Sequence, residues 1–180
     1  VEANTSILYQ KLALDYSAIE PPTWSLLLAE SCRNKGYTVG ILDCNAERLN
    51  IEESIIKIEQ FNAEIVCFVV YGQNPNSGTT NMAAATILAE KYKEEFPNSF
   101  TMFIGSHTSA MPREVLKHSF VDFVSINEGV FTLHDLLNTN KKDHLDKVRG
   151  LGYKKDDLLR YGAPAEIVPL PVLVKVVIVP

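Results

Sequence analysis

Three short polar stretches carry the residue types best suited to chemistry: Tyr71-Gly72-Gln73-Asn74, Gly105-Ser106-His107-Thr108 and Asn127-Glu128-Gly129. Their side chains are mostly amides and hydroxyls. Each stretch contains a glycine, which lets the backbone come close to a ligand and offer its N–H groups. That combination suits holding a large ligand bearing amides or phosphate better than it suits acid–base catalysis. The same residue types also make ordinary turns, so the pattern alone leaves both readings open. His107 is the one histidine in these stretches, and no second His or Cys stands at metal-ligand spacing. No catalytic residue and no metal ligand is expected. Glu128 can orient a ligand hydroxyl or amide, or complement the dipole of a helix starting after Gly129.

Other chemistries lose support. No G-x-S-x-G, G-x-G-x-x-G or G-x-x-x-x-G-K-[ST] occurs, which argues against serine hydrolases, dinucleotide enzymes and P-loop NTPases. The net charge of -5 and the lack of a Lys/Arg block argue against a nucleic-acid partner. No run of 18 apolar residues exists, so no membrane helix is expected, and no secretory signal opens the chain. Cys32, Cys44 and Cys67 are odd in number and widely spaced, which suits a reducing cytoplasm rather than a disulfide scaffold.

The elements that must position these stretches alternate. Strands are expected at 6–10, 37–43, 65–70, 100–104 and 121–126, and helices follow at 21–36, 50–62, 81–97, 112–118 and 130–137. Ile65 to Val70 is an unbroken apolar, β-branched run, as expected of a strand buried on both faces. Pro21-Pro22-Thr23 opens the first helix, with Trp24, Leu27, Leu28 and Cys32 as its apolar stripe. Asn50 with Glu53 reads as a capping box. The alternation predicts an α/β, flavodoxin-like (Rossmann-type) five-stranded parallel sheet with helices on both faces and strand order 2-1-3-4-5. In such a sheet the three polar stretches follow the third, fourth and fifth strands and share one rim, where ligands of open α/β sheets bind. Gly150-Leu151-Gly152-Tyr153 reads as a small strand returning to the sheet edge. Val172 to Val179 is an apolar, β-prone tail.

The same segments resemble the N-terminal cobalamin-binding domain of cobalamin-dependent radical S-adenosylmethionine (SAM) enzymes. The resemblance rests on Ala18-Ile19-Glu20-Pro21-Pro22-Thr23-Trp24, Gly36-Tyr37, Leu42-Asp43 and Tyr71-Gly72-Gln73-Asn74-Pro75. It continues through Gly105-Ser106-His107-Thr108-Ser109-Ala110-Met111-Pro112, Asp122-Phe123-Val124, Asn127-Glu128-Gly129, Thr132-Leu133 and Gly150-Leu151-Gly152-Tyr153. It implies that residues 1–140 form a cobalamin (vitamin B12)-binding domain. Residues 141–180 would then be a linker and extended segment, cut before a radical SAM barrel. Tyr71, Gly72, Gln73, Asn74, Gly105, Ser106, His107, Thr108, Asn127, Glu128 and Gly129 would hold the cofactor. The barrel, as C-terminal partner, would carry the [4Fe–4S] cluster and S-adenosylmethionine for methyl transfer or rearrangement. Neither C-x-x-x-C-x-x-C nor D-x-H-x-x-G is present, so the chain has no cluster motif and no supported histidine ligand to cobalt. The alternative is a flavin- or nucleotide-binding flavodoxin-like protein, with Ser77-Gly78-Thr79-Thr80 at a phosphate. That loop, however, follows the third strand rather than the first.

Overall fold

A computed structural model of the 180-residue chain describes residues 19, 21–71, 75–139, 144–155 and 158–162, with the side chains of 75–80 left aside. Its sheet starts with a pair of parallel strands, β1 (Ile65–Val70) and β2 (Phe100–Gly105), in register from Ile65 opposite Phe100 to Val70 opposite Gly105. Strand β3 (Phe123–Ser125) continues the parallel set beside β2. A hairpin of β4 (Leu151–Lys155) and β5 (Leu158–Tyr161) then extends the sheet antiparallel.

Side chains alternate across these strands, and both faces are covered. Val66, Phe68, Val70, Phe103 and Val124 meet helix α2 (Ile51–Gln60) through Ile55 and Ile58, and helix α3 (Pro75–Glu95) through Leu88, Ala89 and Tyr92. Val69, Met102, Ile104 and Phe123 face the other way. They pack on Leu28 and Cys32 of α1 (Thr23–Arg33), and on Leu133 and Leu136 of a helix, Val130–Asn138, that follows β3. Between β2 and β3 lie two short helices, α4 (Ser106–Ala110) and α5 (Pro112–Leu116), which make the Val130–Asn138 helix α6. Parallel strands buried on both sides explain why the sequence reads there as continuous apolar runs. The fold is flavodoxin-like α/β, as the alternating pattern predicts. The Asn50–Glu53 capping box forms, with both reciprocal bonds at 2.9 Å.

Four expectations change. Pro75 to Thr80 belong to α3 rather than to a loop, and proline suits that first turn because its missing N–H would have no partner there. Ser106 to Ala110 form a single helical turn instead of a loop. Within 37–43 only Asp43 makes a sheet bridge. The neighbour expected for that segment, 6–10, lies outside the described residues, as does the tail 172–179, so the 2-1-3-4-5 order is followed here only through β1, β2 and β3. Trp24 does not join the core stripe of α1: it is 38% exposed.

The Phe68 and Phe103 rings stack at 5.1 Å in the middle of the sheet, both wholly buried. Phe103→Ala is expected to cost about 3–5 kcal/mol, read as a lower urea midpoint with an unchanged slope.

Candidate functional site

Because β1, β2 and β3 run parallel, the segments leaving them emerge on one rim. Gly105 closes β2 opposite Val70, with φ at 156°. A Cβ at this position would run into the Val70 carbonyl oxygen, so only glycine lets the two strand ends sit side by side. Ser106 is exposed, His107 is half-buried and Thr108 is wholly buried on the following turn.

Tyr71 follows β1 directly and is half-buried. The Asn81 side chain of α3 donates to its carbonyl at 3.1 Å, and the phenol reaches the Asn127 carbonyl in a long contact of 3.4 Å. Burial first, and the Glu128 carboxylate second, push the Tyr71 phenol up to about 12. Asn127 sits in the left-handed region, with φ at 70°, where asparagine is among the tolerated residues. The Asn127 N–H donates to Ser109 Oγ at 2.9 Å. The segments after β1, β2 and β3 are thereby tied together at Asn127.

Three buried hydroxyls have no hydrogen-bond partner among the described residues: Thr108 Oγ1, Ser125 Oγ and Thr132 Oγ1. They come from α4, the end of β3 and the first turn of α6. Gly129 stands beside Ser125. A Cβ on it would lie 2.8 Å from Ile104 Cγ2 and 3.3 Å from Ser125 Oγ, and its φ of 79° also favours glycine. Leaving a buried hydroxyl unsatisfied costs on the order of 1–3 kcal/mol. Unsatisfied hydroxyls such as these, one of them beside a glycine, are groups that a polar ligand would satisfy.

The structure thus brings Tyr71, Gly105, Thr108, Asn127, Glu128 and Gly129 to one rim, with Ser106 and His107 on the adjoining turn. Gly72, Gln73 and Asn74 lie outside the described residues. Asp43, also expected at a strand end, is committed to its own turn: its carboxylate accepts from the Asn45 and Ala46 N–H groups at 3.1 and 2.9 Å. None of the three cysteines is in a disulfide, and burial pushes Cys32 up to about 11. Sequence reasoning missed Ser125 and Asn81, whose types are unremarkable in a strand and a helix, and it misplaced Trp24. The indole stacks on the Tyr71 ring at 4.8 Å and 24°. Its place one residue inside a helix that starts beside the rim was the available signal. Farther along the rim, Ala110, Met111, Pro112, Ile126 and Tyr161 border an open groove of about 450 Å³.

A doubly covered, mostly parallel sheet with glycines and hydroxyls at its rim is the architecture of a ligand-binding α/β domain. The chain belongs to the B12 binding domain family, whose model matches residues 10–137. Among solved structures it is similar to the radical S-adenosylmethionine methyltransferase TsrM from Kitasatospora setae. With cobalamin and a [4Fe–4S] cluster bound, TsrM matches at TM-score 0.64 and 14% identity, over 82% of this chain and 27% of that one. With tryptophan substrate and a SAM analogue bound, it matches at TM-score 0.59 and 16% identity, over 82% and 28%. The cobalamin-dependent S-adenosylmethionine radical enzyme OxsB, in an apo structure, matches at TM-score 0.56 and 17% identity, over 80% and 20%. The chain therefore spans between a fifth and three tenths of the length of these proteins. No curated protein matches by sequence. The family and these neighbours agree with cobalamin as the cofactor expected from the sequence. The residues present fit it: unpaired buried hydroxyls and a glycine cradle suit a ligand with many polar appendages.

Gly105→Ala is expected to lower stability by at least about 2 kcal/mol, because backbone must move to admit the methyl group. Thermal unfolding measures this. In ultraviolet titration, the difference between wild type and Tyr71→Phe is expected to show a phenol ionising near 12, above the usual tyrosine range. The folded protein holds that proton more tightly than the unfolded chain, so this phenol lowers stability as pH rises above about 10.

Proposed function

We propose that this chain is the cobalamin-holding part of a radical SAM methyltransferase-like enzyme, and that it presents the corrin to a catalytic barrel farther along the same polypeptide. The reading is carried by one observation: three buried hydroxyls, Thr108, Ser125 and Thr132, have no hydrogen-bond partner among the described residues of a B12 binding domain, and Gly129 leaves space beside Ser125. Cobalamin, when bound, supplies a cobalt centre for methyl transfer or rearrangement. The work of this chain is placement. Gly72, Gly105 and Gly129 admit the ligand close to backbone. Gln73, Asn74, Ser106, Thr108, Asn127 and Glu128 meet its amides or its nucleotide tail, and Tyr71 and His107 border it. Residues 1–140 form the cofactor domain. Residues 141–180 join it to the barrel, which brings the iron–sulfur cluster and S-adenosylmethionine. Substrate contacts come mostly from that barrel.

The three free thiols suit a reducing cytoplasm. Among the described residues no helix is long and apolar enough to cross a membrane.

The test is direct. Purified protein mixed with hydroxocobalamin and desalted is expected to carry corrin absorbance at about one equivalent. Ser125→Ala is expected to unfold at a higher temperature than wild type without corrin, since a buried unpaired hydroxyl is gone, yet to retain corrin less well. Protein that elutes free of corrin, or binds flavin mononucleotide instead, would overturn the proposal.

A further inference from the structure

Trp24, stacked on Tyr71, is the rim residue to which the cobalamin reading gives no role. Trp24 is the only tryptophan in the chain. A helix opening at Thr23 could have turned it into the core with Leu28 and Cys32, yet the indole remains 38% exposed. It does not hang freely: one side lies against the Tyr71 ring at 4.8 Å. Tyr71 is in turn held by Asn81 on its carbonyl and by its contact with the Asn127 carbonyl. The tyrosine ring is half-buried and stays uncharged across the working pH range, because burial and Glu128 hold its proton on. The result is an aromatic shelf whose orientation is fixed before any ligand arrives. A preset aromatic contact loses little conformational freedom on binding.

The shelf and the hydroxyl pocket lie on opposite sides of Asn127 in the chain of contacts. On one side are Tyr71 and Trp24. On the other is Ser109 on the turn after β2, the chain neighbour of the buried Thr108; Ser125 and Thr132 flank Asn127 and Gly129 in sequence. The pocket offers hydrogen bonds, whereas the shelf offers flat apolar area and no unpaired buried group. Cobalamin has two matching parts: a broad, flat macrocycle whose polar amides hang from its edge, and a polar nucleotide tail.

Resting on the cobalamin reading, we propose that Trp24 is a positioning residue for the corrin macrocycle, braced by Tyr71, and that it contributes nothing to holding the nucleotide tail. The competing role is structural, with the stack serving only to fasten the start of α1 to the end of β1.

Cobalamin and cobinamide, which keeps the macrocycle but lacks the nucleotide, separate these roles. Dissociation constants for hydroxocobalamin and for diaquocobinamide are measured by absorbance titration on wild type, Trp24→Phe and Trp24→Ala, with far-ultraviolet circular dichroism and melting temperature recorded without corrin. Trp24→Ala is expected to weaken both corrins by a similar factor, about tenfold, and Trp24→Phe to recover most of the loss. Ser125→Ala is expected to weaken hydroxocobalamin alone. Binding of both corrins within twofold of wild type by Trp24→Ala would overturn the proposal and leave the cobalamin reading intact. So would a loss confined to hydroxocobalamin, or a loss that phenylalanine does not recover. Wild-type protein that holds neither corrin would remove the cobalamin reading itself, and this inference with it.

Discussion

A strand covered on both faces has no solvent along its length, so polar groups can gather only where it ends. That constraint organises this molecule. Val69, Met102, Ile104 and Phe123 on one side of the sheet, and Phe68, Phe103 and Val124 on the other, are all buried or nearly so. Parallel direction then sends every polar exit to a single edge. The rim is therefore a consequence of core packing as much as of its own residues. Its hydroxyls sit where the strands run out, and a glycine is needed wherever two strand ends lie too close for a side chain.

The rim is also held open by a small number of contacts. Asn127, in a left-handed conformation, takes one contact from Tyr71 on the first strand's exit and one from Ser109 on the second's. Neither contact is strong alone, and the one from Tyr71 is long. Their effect is geometric: three segments far apart in sequence share one anchor. A preorganised surface of this kind loses less entropy when it takes a ligand than a set of independent loops would.

Much of this was legible in the sequence, for identifiable reasons. The apolar run from Ile65 to Val70 admits no amphipathic reading, so a doubly buried strand followed at once. Asn50 and Glu53 named a helix start because their spacing satisfies two backbone N–H groups reciprocally. Gly105 and Gly129 were picked out as glycines, but the reasons they must be glycine lie across the sheet, in the Val70 carbonyl and the Ile104 side chain. Those contacts are tertiary and have no local signature. Trp24 shows the same limit. Helical periodicity assigns a residue to a stripe, but near a helix terminus the stripe runs past the end of the core, and a large ring there meets whatever the neighbouring strand presents. Polar composition misled in the opposite direction at Pro75 to Thr80, where serine, asparagine and threonine suggest a loop and the backbone is helical. The hydroxyls of Ser125 and Thr132 gave no sign of being unpaired, since either residue is ordinary in its element.

The hairpin at the sheet edge has a directional consequence. Strand β4 begins opposite Ser125 at the rim and runs away from it; β5 runs back, so that Gly162, bonded to the Leu151 carbonyl at 2.7 Å, leaves beside the same edge as the glycine turns. An all-parallel sheet ending at β3 would need another helix to choose its exit side, whereas this hairpin turns the chain back on itself within a dozen residues. The hairpin therefore acts as a switchback. It brings Gly162 back to the rim, next to the groove bordered by Met111 and Tyr161. Modules grafted after Gly162 would start on the rim side of the sheet by construction.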